Sequence, residues 1–335
     1  MIRARIIRSD KRVFDCRLED GLKDNLKVVQ ATALGNLLKG ETSLVVGDYV
    51  EVEFDSSTTQ YKIMSCHPRR NEIFRLQVRE HKKRVTAANC DLLIAVTSAS
   101  LPEYKRGVLD RLLIRAVQWG VDAFVVFNKM DTYLKHPETD ITKIADNEFH
   151  INYEAERLKN INAKFFEVAA IDSNYKPRFL SCGQGELKQM LQGKTALVIG
   201  QSGVGKSRLI SALSGGMVEL PSLKISKVGK GSHTTTWSEI VRIGDFDLID
   251  SPGMRSISVE DIVPEDLIQY FPDLFAYASR CKFSNCKHSE KIPGCAFHPV
   301  FQSTTRESYL LISRLESYQR IMQEVSSTPD WQKKW

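Results

Sequence analysis

A glycine-rich run, GQSGVGKS at positions 200–207, constrains this chain more than any other feature. It follows the apolar segment TALVIG and precedes SRLISAL, so the sequence predicts a strand, a tight loop and a helix in that order. Glycines let backbone N–H groups converge on an anion, and the amino terminus of the helix adds partial positive charge. Because of this context we favour a phosphate-binding loop over a chance glycine-rich turn. Its residues are Gly200, Gln201, Ser202, Gly203, Val204, Gly205, Lys206 and Ser207.

Two side chains of this loop have specific expected roles. Lys206 is expected to reach the β- and γ-phosphates of a nucleotide, and Ser207 to supply a hydroxyl to Mg²⁺. Downstream, the tetrapeptide DSPG at 250–253 ends the predicted strand FDLID, the second of two adjacent predicted strands after SEIVRI. Asp250 can hold Mg²⁺ through water, and Gly253 can offer its N–H to the γ-phosphate. Alone, DSPG would be only a turn; its position after the phosphate loop favours the magnesium-side role.

The tetrapeptide NKMD at 128–131 also follows a predicted strand, DAFVVF. The carboxylate of Asp131 can accept hydrogen bonds from N1–H and the exocyclic amine of guanine, which adenine cannot provide. The stem of Lys129 can cover the base, and Asn128 can tie this turn to the phosphate loop. As an isolated tetrapeptide it would more often be a polar helix-start turn. After the next strand, Ala169 and Ala170 could present backbone N–H groups to guanine O6.

The pattern of predicted elements indicates a multidomain α/β protein. Short β-branched runs at the start predict a small all-β barrel or sandwich over residues 1–75. Strands then alternate with helices over residues 85–262, which predicts a parallel sheet with helices on both faces. Residues 265–335 are predicted to be helical, with one helical segment, EDLIQYFPDLFAYAS, near the start. At 335 residues, with 42% apolar and 26% charged side chains, the chain is expected to form two or three domains. No apolar run approaches the ~20 residues of a membrane span and no secretory signal is evident, so we expect a cytoplasmic monomer without membrane contact.

Seven cysteines are an odd number, and four of them are scattered singly, which argues against a disulfide framework. The other three, Cys281, Cys286 and Cys295, cluster with His288. Three thiolates and one imidazole form a closed tetrahedral zinc site, and a closed site is structural because it leaves no position for water. His298 is a weaker alternative ligand, and three buried free cysteines are the non-metal alternative.

Basic residues concentrate in two stretches of the amino-terminal part of the chain. A basic barrel suits contact with an RNA backbone, but a solvated linker explains the charge equally well. The two stretches comprise Arg3, Arg5, Arg8, Lys11 and Arg12, and then Arg69, Arg70, Arg75, Arg79, Lys82, Lys83 and Arg84.

The motifs resemble those of translation-factor-type GTPases, but their order is rotated. NKMD precedes GQSGVGKS, which precedes HTTT and DSPG, as in circularly permuted GTPases. With a barrel in front and a cysteine cluster behind, the whole chain resembles the ribosome small-subunit-dependent GTPase A family (RsgA, also called YjeQ). The gap between His288 and Cys295 is one residue longer than the family's usual gap, which puts the loop shape in question more than the ligands.

The resemblance implies an OB-like barrel, a permuted P-loop GTPase domain and a zinc domain. It also implies hydrolysis of GTP to GDP with Mg²⁺, one structural zinc ion, and late assembly of the small (30S) ribosomal subunit through its rRNA, with the subunit stimulating hydrolysis. Thr235 would close on Mg²⁺, with Thr234 or Thr236 as alternatives. Met254 cannot orient water, and the resemblance favours His233 for that role. The alternatives are an RNA-binding module with nucleotide-gated binding and negligible hydrolysis, and an ATPase.

Overall fold

The computed structural model describes residues 1–10, 12–19, 27–33, 35–38, 43–77, 82–134, 149–218, 239–250 and 258–327. In this part of the chain, no helix combines the length and the apolar character needed to cross a bilayer.

The amino-terminal part is a five-stranded barrel whose strands pair in the order β1-β2-β3-β5-β4, with β4 returning to β1. All neighbours are antiparallel except β3 and β5. Inward-facing Ala4, Ile6, Phe14, Val50 and Ile63 are all buried and fill the interior. Closure leaves no strand edge exposed within the barrel, and this confirms the predicted OB-like barrel. Its elements are β1 (Ile2–Asp10), β2 (Val13–Leu18), β3 (Val28–Ala33), the short helix α1 (Gly35–Leu38), β4 (Tyr49–Asp55) and β5 (Gln60–Cys66).

An antiparallel hairpin that the sequence did not predict follows the barrel. It consists of β6 (Glu72–Gln77) and β7 (Lys82–Ala88), in a region interpreted above only as a basic stretch. Ile73 and Ala87, paired across the hairpin, are buried in the core beneath the central sheet. The hairpin therefore packs as part of the folded structure.

The central sheet has the order β10-β9-β8-β11-β13-β12, and the first five strands are parallel. β12 is antiparallel to β13, and it meets β1 of the barrel at the pair Arg8–Glu239. β8 is buried over nearly its whole length because helices cover both faces, which explains its continuous apolar run. The strands are β8 (Leu92–Ser98), β9 (Asp122–Asn128), β10 (Ala163–Glu167), β11 (Thr195–Ile199), β12 (Glu239–Ile243) and β13 (Phe246–Asp250).

Among the described residues, four helices flank this sheet, two on each face. α2 (Arg106–Trp119) and α3 (Ile151–Arg157) pack in the core that includes Leu93 of β8. α4 (Gln184–Leu191) and α5 (Lys206–Leu213) pack in the opposite core, which includes Leu92. The predicted parallel sheet with helices on both faces is therefore confirmed.

The carboxyl-terminal part is helical, as predicted, and the predicted helical segment EDLIQYFPDLFAYAS consists of two consecutive helices. A 3-10 helix (Pro264–Tyr270) ends at Phe271, and a separate helix α6 (Pro272–Ala278) follows. Pro272 has no backbone N–H and disfavours the helical conformation at Phe271, which has φ −117° and ψ 76°, so the helix does not continue through this point. Two further helices, α7 (His298–Phe301) and α8 (Arg306–Ser327), follow within the described residues.

Buried ion pairs join the three parts. Arg314 of α8 contacts Asp110 of α2 and Asp273 of α6, and all three side chains are at most 4% exposed. Arg5 and Arg17 of the barrel both contact Asp247 of β13. The predicted boundaries 1–75, 85–262 and 265–335 stay predictions.

Candidate nucleotide and metal sites

The glycine-rich loop lies between β11 and α5, where the sequence predicts it. Gly205 is the N-cap of α5 and has φ +94°, a conformation that side-chain-bearing residues rarely adopt. A Cβ at this position would lie 2.4 Å from Nδ2 of Asn128, and a Cβ on Gly200 would lie 2.1 Å from the carbonyl oxygen of Val96. The loop therefore requires glycine at both positions, to keep its backbone close to the ends of β8 and β9.

Lys206 lies across the loop rather than extending into solvent. Its Nζ donates to the carbonyl oxygens of Gly200 at 2.7 Å and Gln201 at 3.1 Å. Helix α5 begins at Lys206, so the positive charge of the lysine and the positive end of the helix dipole act on the same concave loop. This arrangement attracts a polyphosphate.

Asn128 joins three segments that are far apart in the chain. Its Nδ2 donates to the carbonyl oxygen of Val204 in the phosphate loop at 2.9 Å. Its Oδ1 accepts the backbone N–H of Ala170 at 3.1 Å. The side chain is 1% exposed, so both hydrogen bonds are shielded from water. The Ala170 N–H, considered above as a donor to guanine, is thus already donated to Asn128.

The turn that carries Asp131 has a buried, unpaired acceptor. Lys129 adopts φ +63°, and its Nζ donates to the carbonyl oxygen of Leu101. Asp131 follows in a 3-10 turn, and its Oδ1 is buried with no hydrogen-bond partner among the described residues. A buried carboxylate oxygen without a partner is unfavourable, so it fits a site that is completed by a ligand with N–H groups. Ala169, the other predicted contact, is 2% exposed beside this turn.

The parallel register brings these motifs to one edge of the sheet. Asn128 is the last residue of β9, and Asp250 ends β13 opposite Val198 of β11, the strand that precedes the phosphate loop. The backbone of Asp250 therefore lies beside the loop, while its side chain is outside the described part. The other predicted positions, Gly253, Met254, His233 and the threonines Thr234, Thr235 and Thr236, also lie outside the described residues.

The predicted zinc ligands lie together in the carboxyl-terminal part. The ligand atoms of Cys281, Cys286, His288 and Cys295 are all within 4.8 Å of one another. Ligands ~2.3 Å from a tetrahedral centre are about 3.8 Å apart, so the cluster matches the size and donor set of a closed zinc site. His298, the weaker alternative, is not in this group; its Nε2 is buried without a partner in the described ranges.

Surrounding residues fix the orientation of the cluster. His288 contacts the ring of Phe297 edge-on, and its backbone oxygen accepts a hydrogen bond from Gln319 at 2.9 Å. Burial lowers the pKa of His288, which keeps the imidazole in the neutral form that binds a metal. Burial also raises the pKa of Cys281 and raises that of Cys295 to about 12, and a bound cation would favour the thiolates instead.

The basic stretches of the amino-terminal part have two different roles in the structure. Arg5 is 3% exposed and paired with Asp247, and the side chain of Arg69 is 10% exposed and paired with Asp48. These two are internal structural residues, so the sequence argument was wrong to count them as surface. The exposed members are Arg3, Arg8, Arg12, Arg70, Lys83 and Arg84.

Sequence reasoning missed the residues that support the base-side turn. Glu167, at the end of β10, accepts three backbone N–H groups, and Arg178 donates to two carbonyl oxygens beside Asp131. Neither lies in a recognisable motif. Their roles arise from a loop conformation that local residue patterns do not encode.

A parallel sheet with a phosphate loop after β11, and a base-side turn after β9 that precedes it in the chain, defines a circularly permuted P-loop nucleotide-binding protein. The chain belongs to the RsgA GTPase family, whose model matches residues 66–260, more than half of the sequence. It is therefore a GTP hydrolase by family.

Curated relatives match over nearly the full length. A protein from Bacteroides fragilis named small ribosomal subunit biogenesis GTPase RsgA is 30% identical over 326 residues, covering 95% of this chain and 96% of that protein. A protein of the same name from Flavobacterium johnsoniae is 28% identical over 322 residues, covering 95% of this chain and 89% of its own.

Two solved structures share the fold. The crystal structure of YjeQ from Thermotoga maritima superposes with a TM-score of 0.72 at 23% identity, covering 98% of this chain and 99% of that one. YloQ, described as a circularly permuted GTPase, superposes with a TM-score of 0.70 at 23% identity, covering 98% and 96%.

Proposed function

We propose that this GTPase acts in biogenesis of the small ribosomal subunit and binds its nucleotide along the carboxyl edge of the central sheet. The full-length relatives carry that assembly role in their names. The observation that supports the nucleotide position is the Asn128 bridge. It joins the phosphate loop at Val204 to the base-side segment at Ala170, beside the unpaired carboxylate oxygen of Asp131.

Asp131 selects the base in this proposal. Its carboxylate accepts hydrogen bonds from N1–H and the 2-amino group of guanine, and the stem of Lys129 covers the ring. Adenine offers no donor at N1 and no 2-amino group, so it would leave the carboxylate unpaired, which is strongly unfavourable in a buried site. This selection makes the chain a GTPase rather than an ATPase.

The phosphate loop and helix α5 hold the triphosphate. Lys206 would exchange its contacts with Gly200 and Gln201 for the β- and γ-phosphates, where its charge stabilises the transferring phosphoryl group. Ser207 and Thr235 would hold Mg²⁺, with Asp250 contacting it through water; the ion neutralises charge on the phosphates.

The remaining roles rest on sequence alone. Gly253 would donate its N–H to the γ-phosphate, and His233 would orient the attacking water, because Met254 has no polar group for that task. Both residues lie outside the described part of the chain.

The other two parts provide structure and contact with the ribosome. Cys281, Cys286, His288 and Cys295 would hold one structural zinc ion that fixes the fold around the short helix α7. The exposed arginines of the barrel and hairpin would contact the rRNA backbone, whose phosphates favour clustered positive charge. A factor with this role would act as a monomer in the cytoplasm.

The test is nucleotide-dependent co-sedimentation with isolated small subunits, coupled to measurement of phosphate release. The proposal predicts tighter binding with a non-hydrolysable GTP analogue than with GDP, and faster phosphate release when subunits are added. Lys206→Ala is the matched variant, because it should lose both effects through loss of triphosphate binding. Equal sedimentation with all nucleotides and without nucleotide would reject the proposal.

The same experiment distinguishes this proposal from a second candidate. That candidate is an RNA-binding module in which the nucleotide only controls RNA binding. The exposed basic residues support the RNA contact that both candidates share. The second candidate predicts nucleotide-dependent sedimentation with no multiple-turnover phosphate release, with or without subunits.

A further inference from the structure

One buried carboxylate organises the segment between β10 and α4. Glu167 is 0% exposed and ends β10. It accepts the backbone N–H groups of Arg178 at 3.0 Å, Phe179 at 2.8 Å and Leu180 at 2.9 Å. It also accepts the hydroxyl of Tyr175. Four donors on one carboxylate hold residues 175–180 in a fixed conformation, although no helix or strand forms there.

Burial, together with the hydrogen bond to Glu167, raises the pKa of Tyr175 to about 12. The phenol therefore keeps its proton and remains a donor at neutral pH.

The side chain of Arg178 extends from this loop to the turn that carries Asp131. Its Nη2 donates to the carbonyl oxygen of Met130 at 2.8 Å and to that of Tyr133 at 2.7 Å. The guanidinium carbon lies 5.3 Å from the ring centroid of Phe179, a cation–π contact that restricts the side chain. One guanidinium nitrogen thus contacts the residue immediately before Asp131 and the residue two positions after it.

The direction of the Asp131 carboxylate depends on the backbone between these two carbonyl groups. Met130 is fully buried, and its N–H donates to the carbonyl oxygen of Val168 at 3.2 Å, so one side of the turn is held by the residue that follows β10. The other side, at Tyr133, is held by Arg178. Two hydrogen bonds to adjacent donors of one base require an aligned carboxylate, because a hydrogen bond weakens steeply as its angle departs from linear.

The geometry points to Arg178 as a positioning residue that sets guanine specificity, by holding the turn around Asp131 in the orientation that reads both N1–H and the 2-amino group. This inference rests on the proposed role of Asp131. The arginine itself does not contact the base; it acts through the carbonyl oxygens of Met130 and Tyr133.

Arg178 is exposed, so its replacement should disturb the fold little. The test variant is Arg178→Met, which keeps an unbranched stem and removes the donors. Arg178→Lys is the conservative variant, because one ammonium can partly replace the guanidinium. Lys176→Met is the matched control: Lys176 is exposed on the same loop, and it makes no hydrogen bond or ion pair with other described residues.

The measurement is competition of GDP, IDP and ADP against a fluorescent GDP analogue, with the melting temperature of nucleotide-free protein recorded in parallel. IDP lacks the 2-amino group, so it can form only one of the two hydrogen bonds. We expect Arg178→Met to weaken GDP binding on the order of tenfold and IDP binding by less. The preference for GDP over IDP should therefore fall several-fold. Arg178→Lys should recover part of that preference, and Lys176→Met should match the wild type.

An equal loss of affinity for GDP and IDP, or no loss, would overturn the inference. A merely structural arginine would not change the ratio of the affinities for these two nucleotides. Failure of the proposed function gives a different result: wild-type protein would then bind GDP and ADP alike. If wild-type protein prefers GDP over ADP and Arg178→Met leaves the preference for GDP over IDP unchanged, only the role of Arg178 is rejected.

Discussion

Replacing Asp247 with alanine should destabilise the protein more than any surface change, because two buried arginines depend on it. Arg17 contacts its two carboxylate oxygens at 2.9 and 2.6 Å, and Arg5 contacts one of them at 3.2 Å. The side chains of Arg5, Arg17 and Asp247 are 4%, 10% and 3% exposed. Without the carboxylate, two positive charges remain between the barrel and β13, away from water.

Removing one partner of a buried ion pair costs about 3–5 kcal/mol, much of it from the charge left behind. For a domain of this size, a change of 1 kcal/mol shifts the melting temperature by about 2–4 °C. We therefore expect Asp247→Ala to lower the melting temperature by about 10 °C.

The pH dependence has a definite sign. Burial acts to raise the pKa of Asp247, but the hydrogen bond and charge of Arg17 and the charge of Arg5 outweigh it and lower the pKa below its ordinary value. The stabilisation is complete above the unfolded-state pKa, about 3.9, and it is lost as pH falls through the lower folded-state pKa. The difference between wild type and variant should therefore be constant near neutral pH and shrink only below about pH 4.

Thermal unfolding followed by circular dichroism at pH 7 measures the effect. Asp245→Ala is the matched control, because Asp245 lies two residues away with 84% of its side chain exposed and only a 4.0 Å contact to Arg242. Equal melting temperatures for the Asp247 and Asp245 variants would refute the reasoning, since burial of the pair would then have no energetic consequence.

Three further changes test the sites. Asn128→Asp keeps an acceptor for the Ala170 N–H but sets a carboxylate against the Val204 carbonyl, so nucleotide affinity measured by calorimetry should fall by about tenfold or more; unchanged affinity would exclude the bridge from binding. Cys286→Ser should reduce the zinc content measured by atomic absorption from one ion per chain and lower the melting temperature, whereas equal zinc in both proteins would contradict the assigned ligands. His233→Ala should slow phosphate release while GTP affinity stays the same, and undiminished turnover would remove this residue from catalysis.

The central sheet and the phosphate loop could be predicted because their signals are local. β8 is buried on both faces, so its sequence is a continuous apolar run that few other structures require. Gly200 and Gly205 are needed by close backbone contacts within one turn, and that need appears in the sequence as a spaced glycine pattern. The zinc cluster could be predicted for the same reason, since its ligands lie within 15 consecutive residues.

Contacts between distant segments could not be predicted this way. Arg17 and Asp247 are 230 positions apart, and nothing near either residue indicates the other. Arg5 and Arg69 looked like surface charge, because a basic residue in a strand or a loop has the same local sequence pattern whether it faces solvent or a buried carboxylate. The hairpin was missed because three basic residues, Lys82, Lys83 and Arg84, begin its second strand and give that segment the appearance of a polar stretch.

The proposed function depends on the recognition of guanine by Asp131, in a site that Asn128 connects to the phosphate loop. Equilibrium binding of GTP and ATP in magnesium, to wild type and to Asp131→Asn, tests it most directly. We expect wild-type protein to bind GTP at least about a thousandfold more tightly than ATP. We also expect that Asp131→Asn shifts the preference to xanthosine triphosphate, whose 2-oxo group accepts the new amide donor. Comparable wild-type affinities for GTP and ATP would contradict the recognition of guanine by Asp131.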